Sequence, residues 1–156
     1  MGECSRRQFL KRGTVRLAVT STCLCGINGC ATITKIGDTP SINPDSFTLT
    51  NNILTIDLSK EAILNKVGGA VKIRHSDIPN GVIIACVAEQ RFEVASLLCT
   101  HRGVEVEYDQ EQTNFKCASL GGTRYGIDGK NLSGPASEPL REYEATLRDG
   151  LLRIEI

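Results

Sequence analysis

Two cysteines and one histidine stand close together in the second half of this 156-residue chain. One residue separates Cys99 from His101, and fifteen residues then lead to Cys117. Thiolates and imidazoles are the protein groups that zinc and iron prefer, so this spacing indicates a metal site. Glycines follow both groups, at Gly103 and Gly121, and would let backbone N–H groups come close to a bound sulfur.

More than one kind of centre could use these ligands. A mixture of thiolates and imidazoles serves structural zinc, and it also serves an iron–sulfur cluster with one all-thiolate and one all-imidazole iron. A single ion such as zinc, held by Cys99, His101 and Cys117 with one position open, would resemble a catalytic zinc site. The Cys-x-His spacing departs from the usual zinc pairs, and no general base or substrate pocket is evident. Two unpaired structural cysteines beside a surface histidine remain the plainest alternative.

Short strands must carry these residues. Apolar and polar residues alternate from residue 47 onward with turn residues between them, which is typical of an antiparallel β-sandwich or small barrel. A closing hairpin is predicted around Asp149-Gly150, and helical character is confined to Ser59–Lys66, before two glycines. The strands are predicted at Phe47–Leu49, Ile53–Leu58, Ala70–Arg74, Gly81–Val87, Phe92–Ala95, Val104–Tyr108, Phe115–Cys117, Arg141–Leu147 and Leu151–Ile156.

The gap between the ligands fits one hairpin. Val104–Tyr108 would run out and residues 114–116 would return, so the two ligand loops would meet at one end. The other residues of the same types have plainer explanations. Cys86 lies in an apolar run and is expected to be a small buried side chain. His75, the only other histidine, is expected at a strand end away from the ligand loops.

The first thirty residues are predicted to be an export signal. Ser5-Arg6-Arg7-Gln8-Phe9-Leu10-Lys11 matches a twin-arginine motif, and a weakly apolar run follows it. The segment ends in Gly29-Cys30, which resembles a lipoprotein cleavage box, although Asn28 replaces the usual small residue there. We therefore expect residues 1–30 to be a signal peptide and Cys30 to carry a lipid that holds the protein at the outer face of the cytoplasmic membrane.

Residues 31–46 are predicted to be a linker, because they are polar and contain Pro40 and Pro44. One domain would then occupy residues 47–156.

Composition excludes several other classes of function. The formal net charge is zero, which argues against nucleic acid as a partner. No apolar run reaches the 18 residues of an ordinary membrane-spanning helix.

From about Phe47 onward the chain resembles the Rieske iron–sulfur domain, in particular its exported bacterial members. The family pattern is Cys-x-His, about fifteen residues, and then Cys-x-x-His-Gly. The run Cys99-Thr100-His101-Arg102-Gly103 matches the first box in full, and Cys117 and Gly121 match parts of the second. The stretches "TRYGIDGKNLSGPASEPL" and "LREYEATLRDGLLRIEI" resemble the loop over the cluster and the closing hairpin of the family.

The resemblance implies an all-β fold with antiparallel sandwich or small barrels, and a cluster-binding subdomain built on the hairpin loops. It implies that Cys99 and Cys117 hold one iron of a [2Fe-2S] cluster and that His101 binds the other. Tyr125 resembles the hydroxyl that bonds near a cysteine ligand, and Thr123 resembles the donor to a bridging sulfide. Hydrogen bonds to sulfur stabilise the reduced cluster.

The second histidine of the pattern is missing. Counting from Cys117 its position is Leu120, and counting back from Tyr125 it is Gly121; neither residue can bind iron. The cysteines that form a disulfide in high-potential members are replaced here by Val104 and Ser119. Ser119, Thr123, a backbone group or water would have to act as the fourth ligand.

The resemblance implies one-electron transfer rather than an enzyme acting alone. The expected partner is a redox protein, such as a cytochrome or a quinol-oxidising membrane complex. The alternative is a degenerate Rieske fold without a cluster, acting as an exported binding or scaffold module.

Overall fold

The computed structural model describes residues 38–156, and within them the fold is almost entirely antiparallel strand. A single 3-10 turn, Pro44–Ser46, precedes the first strand, and no α-helix occurs in this range. The eleven strands of this range are β1 Phe47–Thr50, β2 Ile53–Asp57, β3 Ala70–Ile73, β4 Val82–Ala88, β5 Arg91–Ser96, β6 Val106–Asp109, β7 Asn114–Cys117, β8 Arg124–Gly126, β9 Asn131–Ser133, β10 Ala145–Arg148 and β11 Leu151–Glu155.

The strands form three sheets. Their orders are β1-β2-β11-β10, β3-β4-β5 and β6-β7-β8-β9, and all pairings within them are antiparallel. The predicted all-β fold is therefore confirmed. Most predicted strands lie within one or two residues of those observed, but β8 and β9 were not predicted.

The middle sheet, β3-β4-β5, is buried on both faces. Val82 and Ile84 of β4 belong to one apolar cluster, which is shared with β2 and β11. Ile83 and Ala85 belong to a second cluster, which includes Phe115 and both cysteines of the candidate site. Successive side chains of a strand point to opposite faces, so an uninterrupted apolar strand joins two cores.

The predicted helix at Ser59–Lys66 is wrong. This segment is a series of turns whose backbone bonds run to the third preceding residue, as in Glu61 N to Leu58 O at 3.3 Å and Leu64 N to Glu61 O at 3.2 Å. The side-chain amide of Asn65 donates to Leu58 O at 2.7 Å, so it competes for a carbonyl oxygen that would accept a backbone N–H in a helix. A segment this short gains little from helix propagation, so these local bonds prevail.

Residues 97–140 form a subdomain that leaves the middle sheet and returns to it. Ser96 N donates to Arg141 O at 2.8 Å, and Ala95 pairs with Glu142 in an antiparallel bridge. The two ends of the excursion are thus hydrogen-bonded to each other. We call residues 97–140 the site subdomain and this pair of contacts its neck.

Part of the predicted linker packs on the domain. Ile42 is buried, its N–H donates to Lys72 O at 2.9 Å, and Lys72 N donates to Pro40 O at 2.8 Å. The division of the chain at residues 30 and 46 stays a prediction, and the proposed signal and Cys30 lie outside the described residues. Within residues 38–156, no helix has the length and apolarity needed to cross a membrane.

Candidate metal centre

Two tight loops of the site subdomain present the predicted ligands. In the first, Gly103 N donates to Cys99 O at 2.8 Å and Cys99 N donates to Val104 O at 2.8 Å. In the second, Cys117 N donates to Thr123 O at 2.8 Å. The hairpin β6–β7 lies between the two loops, and both cysteines belong to the same buried cluster. The structure therefore brings the two cysteine loops together as the spacing predicted.

The Cys99 sulfur is hydrogen-bonded to a buried phenol. Tyr125 is fully buried, and its hydroxyl lies 3.2 Å from Cys99 Sγ and 3.0 Å from Thr100 Oγ1. The Thr100 N–H donates to this phenol oxygen at 3.3 Å, while the Thr100 hydroxyl donates to Glu138 O at 2.8 Å. The phenol proton is thus left for Cys99 or for Thr100 Oγ1. An ionised sulfur is the stronger acceptor of the two.

The Cys117 sulfur has its own hydroxyl partner, which the sequence did not reveal. Ser119 Oγ lies 3.1 Å from Cys117 Sγ. The sequence indicates Ser119 only at the place of a disulfide cysteine and as a possible fourth ligand. Each thiol of the site therefore has a hydroxyl within hydrogen-bonding distance, one from a buried strand and one from its own loop.

The two thiols differ in acidity. Burial opposes ionisation of Cys99, but hydrogen bonds from the Tyr125 hydroxyl, the His101 backbone and the Cys117 thiol outweigh burial and lower its pKa. Burial raises the pKa of Cys117, and the neighbouring Cys99 raises it further. Burial and the Cys99 sulfur also raise the pKa of Tyr125, so the phenol keeps the proton it donates. Cys99 is thus the more acidic of the two thiols.

Two polar atoms of the site are buried without a partner. His101 Nδ1 and Thr123 Oγ1 are inaccessible to solvent and make no hydrogen bond. An unpaired buried polar group costs about 1–3 kcal/mol, so native proteins rarely leave one unless it has a further role. Both atoms belong to residues that the family resemblance assigns to the cluster.

The loop at Gly134 lies directly against Thr123. A Cβ at Gly134 would lie 2.6 Å from Thr123 Cα, closer than real Cβ atoms approach, and the φ of Gly134 is +96°. Only glycine permits this contact without a backbone shift. The same Cβ would lie 3.1 Å from Thr123 Oγ1, so this loop also lies close to that hydroxyl.

The position of the missing ligand faces solvent. Leu120 has a relative exposure of 103%, and Gly121 has a φ of +105° with no heavy atom within 4 Å of the place a Cβ would take. Neither residue is directed into the protein. The second cysteine loop thus ends in an open tip where the family pattern has an imidazole.

The other histidine and the other cysteine of residues 38–156 have contacts away from the site. His75 packs edge-on against Phe47 at 6.2 Å between ring centroids, and its Nδ1 accepts from Asp77 N at 3.2 Å. Cys86 is buried, and its thiol donates to Ala88 O at 3.3 Å. Burial raises the pKa of Cys86, as expected of a thiol that serves as a small apolar side chain.

The fit to a two-iron cluster is partial. The thiolate half is complete, since Cys99 and Cys117 are buried neighbours, each with a hydroxyl donor. The imidazole half has one free nitrogen, on His101, and no second one. In this conformation no three Cys, His, Asp or Glu side chains of residues 38–156 are grouped to hold a single ion.

The sequence is similar to that of known iron–sulfur subunits. No protein-family model matches the chain. The cytochrome b6-f complex iron–sulfur subunit of Chlorobaculum tepidum is 31% identical over 91 residues, which are 52% of this chain and 50% of that protein. The subunit of the same name from Gloeobacter violaceus is 32% identical over 98 residues, covering 60% of this chain and 52% of that one. The chain thus spans about half the length of these relatives.

Solved structures agree on the fold. The plasma membrane Rieske protein PetC3 of Synechocystis PCC 6803 aligns with a TM-score of 0.50 at 21% identity, covering 56% of this chain and 87% of that one. A structure of the oxygenase–ferredoxin complex of carbazole 1,9a-dioxygenase aligns with a TM-score of 0.50 at 17% identity, covering 58% and 82%. At such identities the likeness concerns the fold alone.

Proposed function

We propose, from the premise that this chain carries a Rieske-type domain, that it is an iron–sulfur protein acting in one-electron transfer. Cys99 and Cys117 would hold one iron of a [2Fe-2S] cluster, and His101 would bind the other through its Nδ1. The cluster, when bound, supplies a one-electron couple. The proposal rests above all on the Tyr125 hydroxyl, which lies 3.2 Å from the sulfur of Cys99.

The chain's own groups favour a negatively charged sulfur centre. The Tyr125 phenol and the Ser119 hydroxyl each lie beside one cysteine sulfur, at 3.2 Å and 3.1 Å. Donors aimed at sulfur stabilise negative charge there and raise the reduction potential of a centre that gains an electron. Because Tyr125 is fully buried, its hydroxyl cannot exchange this bond for one to water.

One ligand position remains to be filled. Of the side chains that could replace the second imidazole, Ser119 already bonds the Cys117 sulfur, whereas Thr123 Oγ1 is buried with no partner. Water could also reach the open tip beside Leu120. We therefore infer a cluster whose second iron is more weakly held and more exposed than the first.

Anaerobic purification of the folded domain tests the proposal. Iron and acid-labile sulfide should each approach two per chain, with visible absorption and a low-temperature EPR signal after reduction. A colourless, iron-free protein whose Cys99 and Cys117 thiols both react with alkylating agents would overturn it. Replacing both cysteines with serine provides the matched blank for adventitious iron.

We further propose that the domain works at the outer face of the cytoplasmic membrane. The twin-arginine motif and the lipoprotein-like sequence before Cys30 support export and a lipid anchor. Two relatives are named as subunits of the cytochrome b6-f complex, which supports a cytochrome or a quinol-oxidising complex as redox partner. Mass spectrometry of the mature chain tests the anchor: a first residue other than an acylated Cys30 removes it.

A cluster-free module is the second candidate. The observation that favours it is Leu120, which is fully exposed at the place of a ligand. In that case the exported domain would act as a binding or scaffold module and the two thiols would stay free. The same iron measurement separates the candidates, because this one requires a metal-free protein in cells grown with ample iron.

A further inference from the structure

One lysine is buried in the middle sheet. Lys72 of β3 has a relative exposure of 4%, in a strand whose other residues are apolar. Its ammonium group bonds Glu107 Oε1 and lies 3.2 Å from Glu105 Oε2. A buried charge needs such partners, because an isolated ammonium group is very costly to remove from water. β3 is thus tied to the site subdomain through carboxylates on either side of Val106.

A second cation completes the arrangement. Arg74 Nε lies 2.5 Å from Glu105 Oε1, and Arg74 Nη2 lies 2.6 Å from Glu105 Oε2. This two-point contact fixes the carboxylate in orientation as well as position. We call Lys72, Arg74, Glu105 and Glu107 the charge clamp; it contains two cations and two anions.

Glu105 also lies between the two cysteine loops. Its backbone forms an antiparallel bridge with Leu98, the neighbour of Cys99. Its carbonyl oxygen accepts from Ala118 N at 3.0 Å, and Ala118 is the neighbour of Cys117. One residue therefore contacts both loops through its backbone, while both oxygens of its side chain are held by Lys72 of β3 and by Arg74, which follows that strand.

We infer that Glu105 is a positioning residue, and that the charge clamp sets the separation and orientation of the Cys99 and Cys117 loops. Without the clamp, the backbone at Glu105 would be held only by its strand neighbours, and both loops would open more often. This inference goes beyond the proposed function, because it concerns how the thiols are presented whether or not they bind iron.

Hydrogen–deuterium exchange on the metal-free chain is the direct test. Glu105→Gln keeps the size of the side chain and removes its charge. We expect amides of residues 99–104 and 117–123 to exchange about tenfold faster at neutral pH, with the β10–β11 hairpin unchanged. Glu93→Gln is the matched control, since it breaks the Arg91–Glu93 pair, 2.8 Å long, in the middle sheet. Equal acceleration throughout the domain, or none in the loops, would overturn the inference.

Arg74→Gln provides a second route should Glu105→Gln fail to fold. The Arg74 side chain is 51% exposed, and its loss leaves the Lys72 contacts in place. It should speed loop exchange less than Glu105→Gln, and the double variant should exchange no faster than Glu105→Gln alone. Additive effects of the two substitutions would mean that they act independently, and would contradict a shared clamp.

Retention of iron gives an independent reading in protein that contains it. Glu105→Gln should release iron to a chelator several times faster than Glu93→Gln, with loop exchange changed in parallel. Faster release with unchanged loop exchange would contradict positioning. If the chain proves to be iron-free, the proposed function fails while the exchange experiment still decides this inference.

Discussion

The Tyr125 hydroxyl lies 3.2 Å from the Cys99 sulfur, although the two residues are 26 positions apart. The contact joins the first cysteine loop to β8, a strand that also pairs with the strand leading to Cys117. The phenol ring is fully buried, so the hydroxyl has a fixed direction. The acidity of the Cys99 thiol therefore depends on how β8 packs within the site subdomain, because that packing places the Tyr125 hydroxyl.

Tyr125→Phe should raise the pKa of Cys99, because the hydrogen bond that favours the thiolate is lost. It should also lower stability by about 1 kcal/mol, since the Thr100 N–H loses its acceptor. The pH dependence of Cys99 alkylation and urea unfolding measure the two effects. Tyr108→Phe is the control, because Tyr108 is a buried tyrosine outside the two loops. An equal shift of the Cys99 pKa in that variant would contradict a direct bond.

In iron-loaded protein, Tyr125→Phe should lower the reduction potential.

Leu120→His should raise iron content if the missing imidazole limits cluster assembly. Stability of the metal-free protein should change by less than about 0.5 kcal/mol, because Leu120 is fully exposed. Iron per chain and the EPR spectrum after anaerobic purification are the measurements. Leu120→Gln removes the leucine without supplying a ligand and should gain no iron.

Gly121→His tests the other alignment, in which the missing histidine corresponds to position 121, but its result is harder to interpret. Its φ of +105° disfavours any residue with a Cβ, so strain accompanies the new imidazole. Should neither histidine variant gain iron, the defect lies in the loop as a whole rather than in one ligand.

Gly134→Ala should destabilise the domain by about 2 kcal/mol more than Gly150→Ala. Both glycines have positive φ, +96° and +76°, so backbone strain affects both. They differ in space, because a Cβ at Gly134 would meet Thr123 Cα at 2.6 Å whereas nothing lies within 4 Å at Gly150. Urea unfolding measures the difference. Equal losses would show that the loop yields to the extra methyl group.

The charge clamp predicts a loss of stability in acid. The hydrogen bond from Arg74 is the main cause that lowers the pKa of Glu105 below its ordinary value near 4.5, and Lys72 lowers it further. A carboxylate whose pKa is lowered by folding contributes fully above that ordinary value, and its contribution disappears as the pH falls through the folded pKa. Glu107 is the other acidic group of the clamp.

Unfolding free energy should therefore fall more steeply below about pH 4.5 in the wild type than in Glu105→Gln, by on the order of 1 kcal/mol after solvent screening. Urea titrations from pH 3 to pH 7 measure the two slopes. Asp57 and Asp128, whose pKa values are also lowered, are present in both proteins and cancel in the difference. Parallel curves would contradict the assignment.

Much of the fold could be predicted because strands such as β2 and β11 alternate with a period of two, and β4 is a short apolar run between turn residues. The short strands β8 and β9 could not, since Tyr125 and Leu132 are almost their only large apolar residues. The helix predicted at Ser59–Lys66 is wrong because its apolar spacing suits a helix, whereas the bond from the Asn65 side chain to the Leu58 carbonyl depends on the turns that the segment adopts.

The candidate site could be predicted in its ligands but not in its surroundings. Cys99, His101 and Cys117 were found by spacing, whereas the bond between Ser119 and Cys117 depends on the turn that the loop adopts. Lys72 carries a signal that local sequence reveals only in part. A lone charge in the run "AVKI" indicates a buried ion pair, although its partners, 33 and 35 residues away, cannot be read from local sequence.

The neck that joins Ser96 to Arg141 makes the site subdomain a segment that could be exchanged as one piece. Its two ends lie side by side at the middle sheet, so residues 97–140 could be replaced by a segment that carries both histidines of the family pattern, without changing the order of the other strands. The chimaera would keep the charge clamp only if the transplanted segment carried acidic residues at positions 105 and 107. The missing histidine could thus be supplied together with the loops around it, provided that the new segment also packs against Ile83 and Ala85 of β4.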